Sequence, residues 1–443
     1  MIQGLWFSAG LVVIVWATGV CAQAESAAPV TLAVGDWRLD PVVELQTRGE
    51  YRHDLDDRDR VTLVERARLG VDASRGSFEA RLVFQDARSV ELSGGYFIAG
   101  SPAIASTGAY EAWAEAHTDG SRPSYLRVGR QAVVWGEGRL LGSADKSPTG
   151  RSLDAVRGRL VVDDAAVEIL GAVLQDWPST PGFSVDPYGE LFGARAEWAS
   201  DPLFAIEVDA LARLARRDPS LQTAVEGQTY TGSARLHGDD RRWTWGAEAA
   251  YQFGHVDGVT RFGEPEFTGR RAAWAAAGHL AHTFERAYWE PTVQIAAAYA
   301  TGDEAGATYR AFDPLLPDVR TWHGAAEAFA WSNEAEASAR GAIVPWTEGV
   351  VALEYRYVVL AQPGSGWQSA YLQTIGQASG NTHAGLGHEV DATIRWSPWA
   401  PVLLEVGYSV LVLGDGAKAI LAARQTGVAS LSHCAYAEAR VDF

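Results

Sequence analysis

Residues 43–52, "VELQTRGEYR", alternate without a break: Glu44, Gln46, Arg48, Glu50 and Arg52 fall on one face, and Val43, Leu45, Thr47, Gly49 and Tyr51 on the other. Successive side chains of an extended chain point to opposite sides, so this period of two predicts a two-faced strand. The apolar face of such a strand is either the core of a soluble sandwich or the lipid-facing wall of a membrane barrel. The joins between strands decide which.

Outward from residue 43, the same alternation predicts strands near 42–53, 61–73, 78–89, 109–118, 124–135, 155–163, 165–176, 189–199, 203–216, 228–238, 241–255, 270–284, 288–301, 333–345, 349–361, 386–397, 402–414 and 432–443. Tight joins such as "RGS", "DDA", "ASDP", "GDDRR", "FERA", "WTEG" and "SPWAP" swap with long ones at 91–108, 177–188, 303–332 and 363–386. Short turns on one rim and long loops on the other predict an all-β fold, a transmembrane antiparallel up-and-down β-barrel of about 18 strands with its short side facing the periplasm. Strands of roughly 10 residues suit a tilted crossing of the hydrocarbon, and closure removes aggregation-prone edges. The last strand, "AYAEARVDF", puts Ala437, Ala439, Val441 and Phe443 on one face, and its terminal Phe resembles the signal read by the barrel assembly machinery. Trp243, Trp245, Trp289, Trp396 and Trp399 lie at predicted strand ends, where an interfacial aromatic girdle belongs.

Composition agrees by exclusion. With 443 residues the chain has no long apolar run beyond its first two dozen positions, which excludes a helical membrane bundle. A formal net charge of -18 excludes a nucleic-acid partner, because phosphate binding needs a basic footprint. Residues 1–24 carry no charge, hold an apolar core at 5–20 and end in "AQA", which predicts a cleaved signal peptide; an uncleaved anchor is the alternative, and Val20 argues against lipidation of Cys21. Residues 25–40 then form a short periplasmic segment and 41–443 the barrel, in the outer membrane of a Gram-negative-type bacterium. Cys434 remains alone in the mature chain, so no internal disulfide staples it.

The polar face carries Arg66, Arg68, Arg81, Arg127, Arg157, Arg159, Arg195, Arg213, Arg235, Arg340, Arg356, Arg395 and Arg440, with Glu44, Glu50, Glu79, Glu111, Glu115, Glu248, Glu354, Glu389, Asp391 and Glu438 among them. A cross-strand ladder of Arg–carboxylate pairs would hold a wet, confined interior together. Only Lys146 and Lys418 among the 37 basic residues are lysines. A planar, permanently charged fork grips carboxylates bidentately, which suits a pore for an acidic polymer, while a genome rich in Arg codons is the other source of the bias. Rings of pore charge set selectivity in either case.

The stretch "LRVGRQAVVWGEGRLLG" followed by "GRSLDAVRGRL", across residues 126–160, resembles the alginate export family of outer-membrane barrels. That family carries a GRQ strand, a glycine turn with an Arg-Leu pair and Gly, then Gly-Arg, an Asp and Val-Arg. "VTLVERARLGVDA" is similar to the family's second strand, and "FDPLLPD" at 312–318 to a loop element. The resemblance implies a monomeric eighteen-stranded barrel with an arginine-rich constriction that passes an alginate-like polyuronate. It implies channel-lining or loop-anchoring roles for Arg66, Arg68, Arg130, Arg139, Arg151 and Arg157, with Asp154 as counter-charge; alternation from Arg127 turns Arg130 outward unless a bulge intervenes. Two positions depart from the pattern: Leu153 replaces the aromatic before the motif's Asp, and "SADKSPT" lacks the family's Trp and Asn. The expected pore set is Arg66, Arg68, Arg81, Arg127, Arg130, Arg139, Arg151, Asp154, Arg157, Arg159, Arg356, Arg395 and Arg440, with 139 and 151 fixing the loop to the wall; 303–332 either folds inward or forms a lid at the rim.

Partners follow from this reading: an anionic polysaccharide, outer-membrane lipid and lipopolysaccharide, the assembly machinery and a periplasmic export scaffold. An anion-preferring diffusion porin for small solutes is the alternative function, and a barrel enzyme a third. No catalytic group, cofactor or metal is expected. His279 and His282, three apart on one strand, face opposite ways, and His255, His323 and His383 sit in or near loops as surface or lumen hydrogen-bonding groups. "TGDEAG" at 301–306 reads as a solvated turn and "GSGW" at 364–367 as a flexible loop.

Overall fold

A computed structural model describes residues 31–92, 105–174, 189–215, 226–261, 264–304, 306–424 and 427–443. Its wall consists of β1 (Trp37–His53), β2 (Asp59–Arg75), β3 (Phe78–Glu91), β4 (Ala105–His117), β5 (Tyr125–Gln131), β6 (Leu153–Val162), β7 (Ala165–Leu174), β8 (Gly189–Asp201), β9 (Phe204–Ala215), β10 (Glu226–Asp239), β11 (Trp243–Arg261), β12 (Glu264–Thr283), β13 (Thr292–Ala300), β14 (Glu334–Trp346), β15 (Gly349–Leu360), β16 (Gly385–Trp399), β17 (Val402–Leu413) and β18 (Leu431–Asp442). Each strand pairs antiparallel with the next. The last returns to the first, from Glu44↔Asp442 to His53↔His433, and closes the barrel.

The radial distribution is the reverse of a soluble protein. Glu44, Arg48, Arg66 and Arg356 point inward and are at most 8% exposed, while Leu45, Leu69, Val128, Ile169 and Leu353 stand on the outside at 43–61%. An apolar outer band over a charged interior is stable only when lipid is the outer solvent. Trp243, Trp289, Trp396 and Trp399 are exposed at the short-turn rim, as a girdle requires, and the Trp245 indole donates to the Leu203 carbonyl at 3.2 Å.

All eighteen expected strands are present, and the departures have physical reasons. β5 stops at Gln131 because Val133 and Trp135 leave the ladder to pack inward, at 2% and 4% exposure. β11 and β12 run past their expected ends at 255 and 270, pairing as far as Arg261↔Glu264 through register shifts. Short turns at 76–77, 163–164, 202–203, 240–242, 347–348 and 400–401 occupy one rim, which also holds the start of β1 and the end of β18. The expected signal peptide at 1–24, residues 25–30, and the long connections near 93–104 and 175–188 lie outside the described residues. The rest of the expected periplasmic segment is part of the sheet: Leu32–Val34 pairs with Trp37–Leu39 at the start of β1.

The described residues of connections 132–152, 301–333, 361–384 and 414–430 arise at the opposite rim and fold back into the barrel. Two apolar clusters line this outer half. One joins Val133, Trp135, Leu140 and Leu141 to Phe312, Leu315, Leu316 and Trp331. The other joins Ala326, Phe329 and Trp367 to Ile420 and Leu421 of the helix α1 (Asp415–Ala423). Two turn expectations are corrected by this packing. Asp303 is buried and accepts the Arg310 amide at 2.9 Å, so it is not a solvated turn residue, while its neighbour Glu304 is exposed as expected. Trp367 is buried and donates its indole to the Ala328 carbonyl at 2.7 Å, with Trp367–Gln368 laddered onto Thr374–Gly376, so 364–367 is fixed in place.

Candidate functional site

The two loops singled out by sequence, 132–152 and 301–333, meet inside the barrel. The Gly142 amide donates to the Leu316 carbonyl at 2.8 Å, the Leu316 amide to the Leu140 carbonyl at 3.0 Å and the Asp318 amide to the Gly138 carbonyl at 2.8 Å. Leu141 and Leu316 thus form a parallel bridge between "GRLLG" and "LLPD". Glycine is required at 142, where a Cβ would come within 2.5 Å of the Asp318 carboxylate and 2.7 Å of its backbone nitrogen. The Asp318 carboxylate accepts the Ala144 amide at 2.6 Å, and burial raises its pKa against that hydrogen bond. The Arg151 guanidinium donates to three carbonyls, Gly142 at 2.9 Å, Leu316 at 2.6 Å and Pro317 at 3.1 Å, and so locks one loop on the other.

Ion pairs fix this double loop to the wall at several points. Asp145 bridges Arg68 at 2.7 Å, Arg440 at 2.9 Å and Arg66 at 3.3 Å; against the opposing effect of burial, Arg66 and Arg68 hold its carboxyl well below the usual range. Across the lumen Asp313 pairs with Arg213 and, at 3.1 Å, with Arg271, while Gln252 donates to its carbonyl at 2.6 Å. Near β1, Glu327 pairs with Arg320 and with Arg52 at 3.3 Å. Burial and the neighbouring Glu50 push its carboxyl up to about 7, against the pull of Arg48 and Arg52.

Beneath this ceiling, toward the short-turn rim, lies a cavity of about 600 Å³. Its ceiling is Arg139, Lys146, Arg320, Thr321, Trp322, Gly324 and Ala325; its walls include Arg48, Arg340, Arg356, Arg395 and Arg440. Eight cationic side chains face five acidic ones (Glu336, Glu354, Asp391, Glu405 and Glu438), a positive surplus in a chain whose net charge is -18. Arg139 lies over the Trp322 ring at 3.9 Å. Arg340 and Lys146 form no ion pair among the described residues.

The sequence family described as alginate export matches residues 38–426. The chain belongs to the alginate export family. No curated protein is matched by sequence. Among solved structures the chain is similar to Acinetobacter baumannii OccAB1 (10% identity, TM-score 0.60, covering 95% of this chain and 100% of that one). It is also similar to A. baumannii OccAB2 (11% identity, TM-score 0.58, 91% and 98%) and to the outer membrane protein OprD from Pseudomonas aeruginosa (10% identity, TM-score 0.56, 95% and 97%). Identities this low establish the fold alone. Family and fold together are those of an outer-membrane channel.

Against this alginate export architecture the expected pore residues other than the loop-locking Arg151 separate into four groups. Arg139, Arg356, Arg395 and Arg440 line the cavity. Arg66 and Arg68 lie beneath loop 132–152, where both bind Glu44, at 2.5 and 3.0 Å, and Arg68 also stacks on Tyr110 at 3.5 Å. Arg81, Arg127, Arg157 and Arg159 face inward but are held by carboxylates: Asp72 at 2.6 Å, Glu115 at 2.7 Å, Glu168 at 2.8 Å and Glu197 at 3.0 Å. Arg130 and Asp154 are opposite each other across β5 and β6, on the face that carries the exposed Val128 and Val156, and pair at 2.9 Å. The register runs unbroken from Arg127 to Arg130, so these two sit on the outer wall near the long-loop rim, not in the pore. Arg139 and Arg151 are corrected as well, since each engages loop 301–333 instead of the wall.

Four cavity cations were missing from the expected set. Arg48 and Arg340 were on the inward face by alternation alone. Arg320 and Lys146 belong to the loops, and nothing local in their sequence tells an inward loop from an outward one. His323 makes the expected lumen hydrogen bond, to Glu336 at 3.4 Å, and is buried beside Glu334 and Glu336. Burial lowers its pKa, with Glu336 acting the other way.

Proposed function

We propose that this channel passes an anionic polysaccharide of the polyuronate class outward, and that the chain enters through the cavity at the short-turn rim. The cationic surplus of that cavity carries the reading. A polymer bearing one carboxylate per sugar meets Arg340 and Lys146, which form no ion pair among the described residues, and Arg395, held only at 3.9 Å by Glu405; a guanidinium offers a carboxylate two parallel hydrogen bonds. The weakly held fork lets each contact be exchanged for the next, as conduction requires. Membership of the alginate export family supports the same substrate class.

The test is conductance of the purified full-length protein in a planar bilayer. Anion preference with block by polyguluronate or polymannuronate added on the short-turn side supports the proposal. Anion preference without block at any polymer length turns the assignment to a diffusion channel for small anions, a reading that the porin-like fold favours. A cation preference overturns both.

A further inference from the structure

We propose that His323, Glu334 and Glu336 form a divalent metal site that latches the ceiling loop to the barrel wall. His323 belongs to loop 301–333, whereas Glu334 and Glu336 are the first and third residues of β14, spaced by two and so directed to the same inward face. All three are buried, at 7%, 2% and 8% exposure. Their contacts converge on one atom: His323 Nδ1 lies 3.2 Å from Glu334 Oε1 and 3.4 Å from Glu336 Oε2. The three ligand atoms all fall within 4.8 Å of one another.

Hydrogen bonding alone leaves this arrangement incomplete. One ring nitrogen carries at most one proton, so it serves two carboxylates poorly, and Glu334 Oε1 has no hydrogen-bond partner among the described residues although it is fully shielded from solvent. A metal bound by nitrogen and oxygen at about 2.0–2.1 Å in tetrahedral geometry separates its ligand atoms by about 3.3 Å, which fits both observed spacings. The second oxygen of Glu336 is held by Arg356 Nε at 2.9 Å, an outer contact that orients the ligand. Arg356 is itself shared with Glu354, Glu389 and Asp391, so the local balance remains acidic and favours a cation. Glu336 also lines the cavity, which gives an ion a route in from the short-turn side. One imidazole with two carboxylates suits zinc above calcium or magnesium.

Binding would tie residue 323 to β14 and hold Trp322 and Gly324 in the cavity ceiling, independently of which solute the channel carries. The test is calorimetric titration of the EDTA-treated full-length protein in detergent with Zn²⁺. One ion per chain is expected, with affinity reduced at least about 100-fold in both His323→Ala and Glu334→Gln. A second measurement needs no variant: Co²⁺ should give a visible absorption band of low-coordinate nitrogen–oxygen ligation that Zn²⁺ then abolishes. Absence of saturable Zn²⁺ binding to the unaltered protein, or equal binding by the two variants, overturns the proposal. Polymer block of conductance is a separate readout, so either idea can fail without the other.

Discussion

The two halves of the lumen use arginine differently. In the outer half, guanidiniums are consumed by structure: Arg66, Arg68 and Arg151 each hold loop backbone or a loop carboxylate, and Arg213 and Arg271 share Asp313. In the inner half Arg157 and Arg356 are also held, by Glu168 and Glu336, but Arg340 and Lys146 form no ion pair among the described residues, and Arg395 reaches its nearest acid only at 3.9 Å. A side chain's type and its inward direction therefore do not make it a substrate contact. The decisive quantity is whether a carboxylate or carbonyl of the chain has already claimed it.

The sharpest way to break this contrast is to unseat the ceiling. Gly142→Leu places a side chain where the Asp318 backbone and carboxylate stand within 2.7 Å, so the two loops cannot pair. Single-channel conductance should rise several-fold, while the barrel survives, since overpacking of this kind costs roughly 1–3 kcal/mol. An unchanged conductance would mean that the paired loops do not restrict the path. Arg151→Met acts on the same joint more gently. Losing a charged donor to three carbonyls should weaken loop docking by about 3 kcal/mol, read as faster hydrogen exchange of the Gly142 and Leu316 amides.

Acidity tests the joint near β1. Glu327 has a raised pKa, about 7, so its protonated form is favoured in the docked loop. The docked state then binds more protons than the released one between the ordinary carboxyl value and about 7, and docking is strongest below that window and weakens as pH rises through it. Gating events should be rarer at pH 5 than at pH 8. In Glu327→Gln this dependence should flatten; a persisting pH response would place the sensor elsewhere. For the inner half, the double change Arg340→Glu with Lys146→Glu should move the reversal potential toward cations, whereas Arg157→Gln, on a group already bound to Glu168, should barely move it.

Legibility in the sequence follows the range of the interactions. A strand face is a property of neighbours two apart, so "VELQTRGEYR" announces both faces of β1, and the same rule gives all eighteen strands. The inward fold of the loops depends on contacts such as Arg151 to Leu316, 165 positions apart. No local pattern encodes them, although the family resemblance had picked out both partners, "GRLLG" and "FDPLLPD", without showing that they touch. For Arg130 the two kinds of reading disagreed. Resemblance implied the channel, alternation implied the outside, and the unbroken register sides with alternation.

That disagreement supplies the smallest expected effect. Arg130 and Asp154 form an ion pair on the outer wall near the rim, with Asp154 44% exposed. Partly solvated pairs of this kind contribute about 0–1 kcal/mol. Asp154→Asn should therefore leave conductance, reversal potential and polymer block unchanged and shift thermal stability by no more than that amount. A loss of anion selectivity in this variant would show that a charge on the outer wall is felt inside the pore, and the division of arginines by what already binds them would have to be redrawn to include the field across the barrel wall.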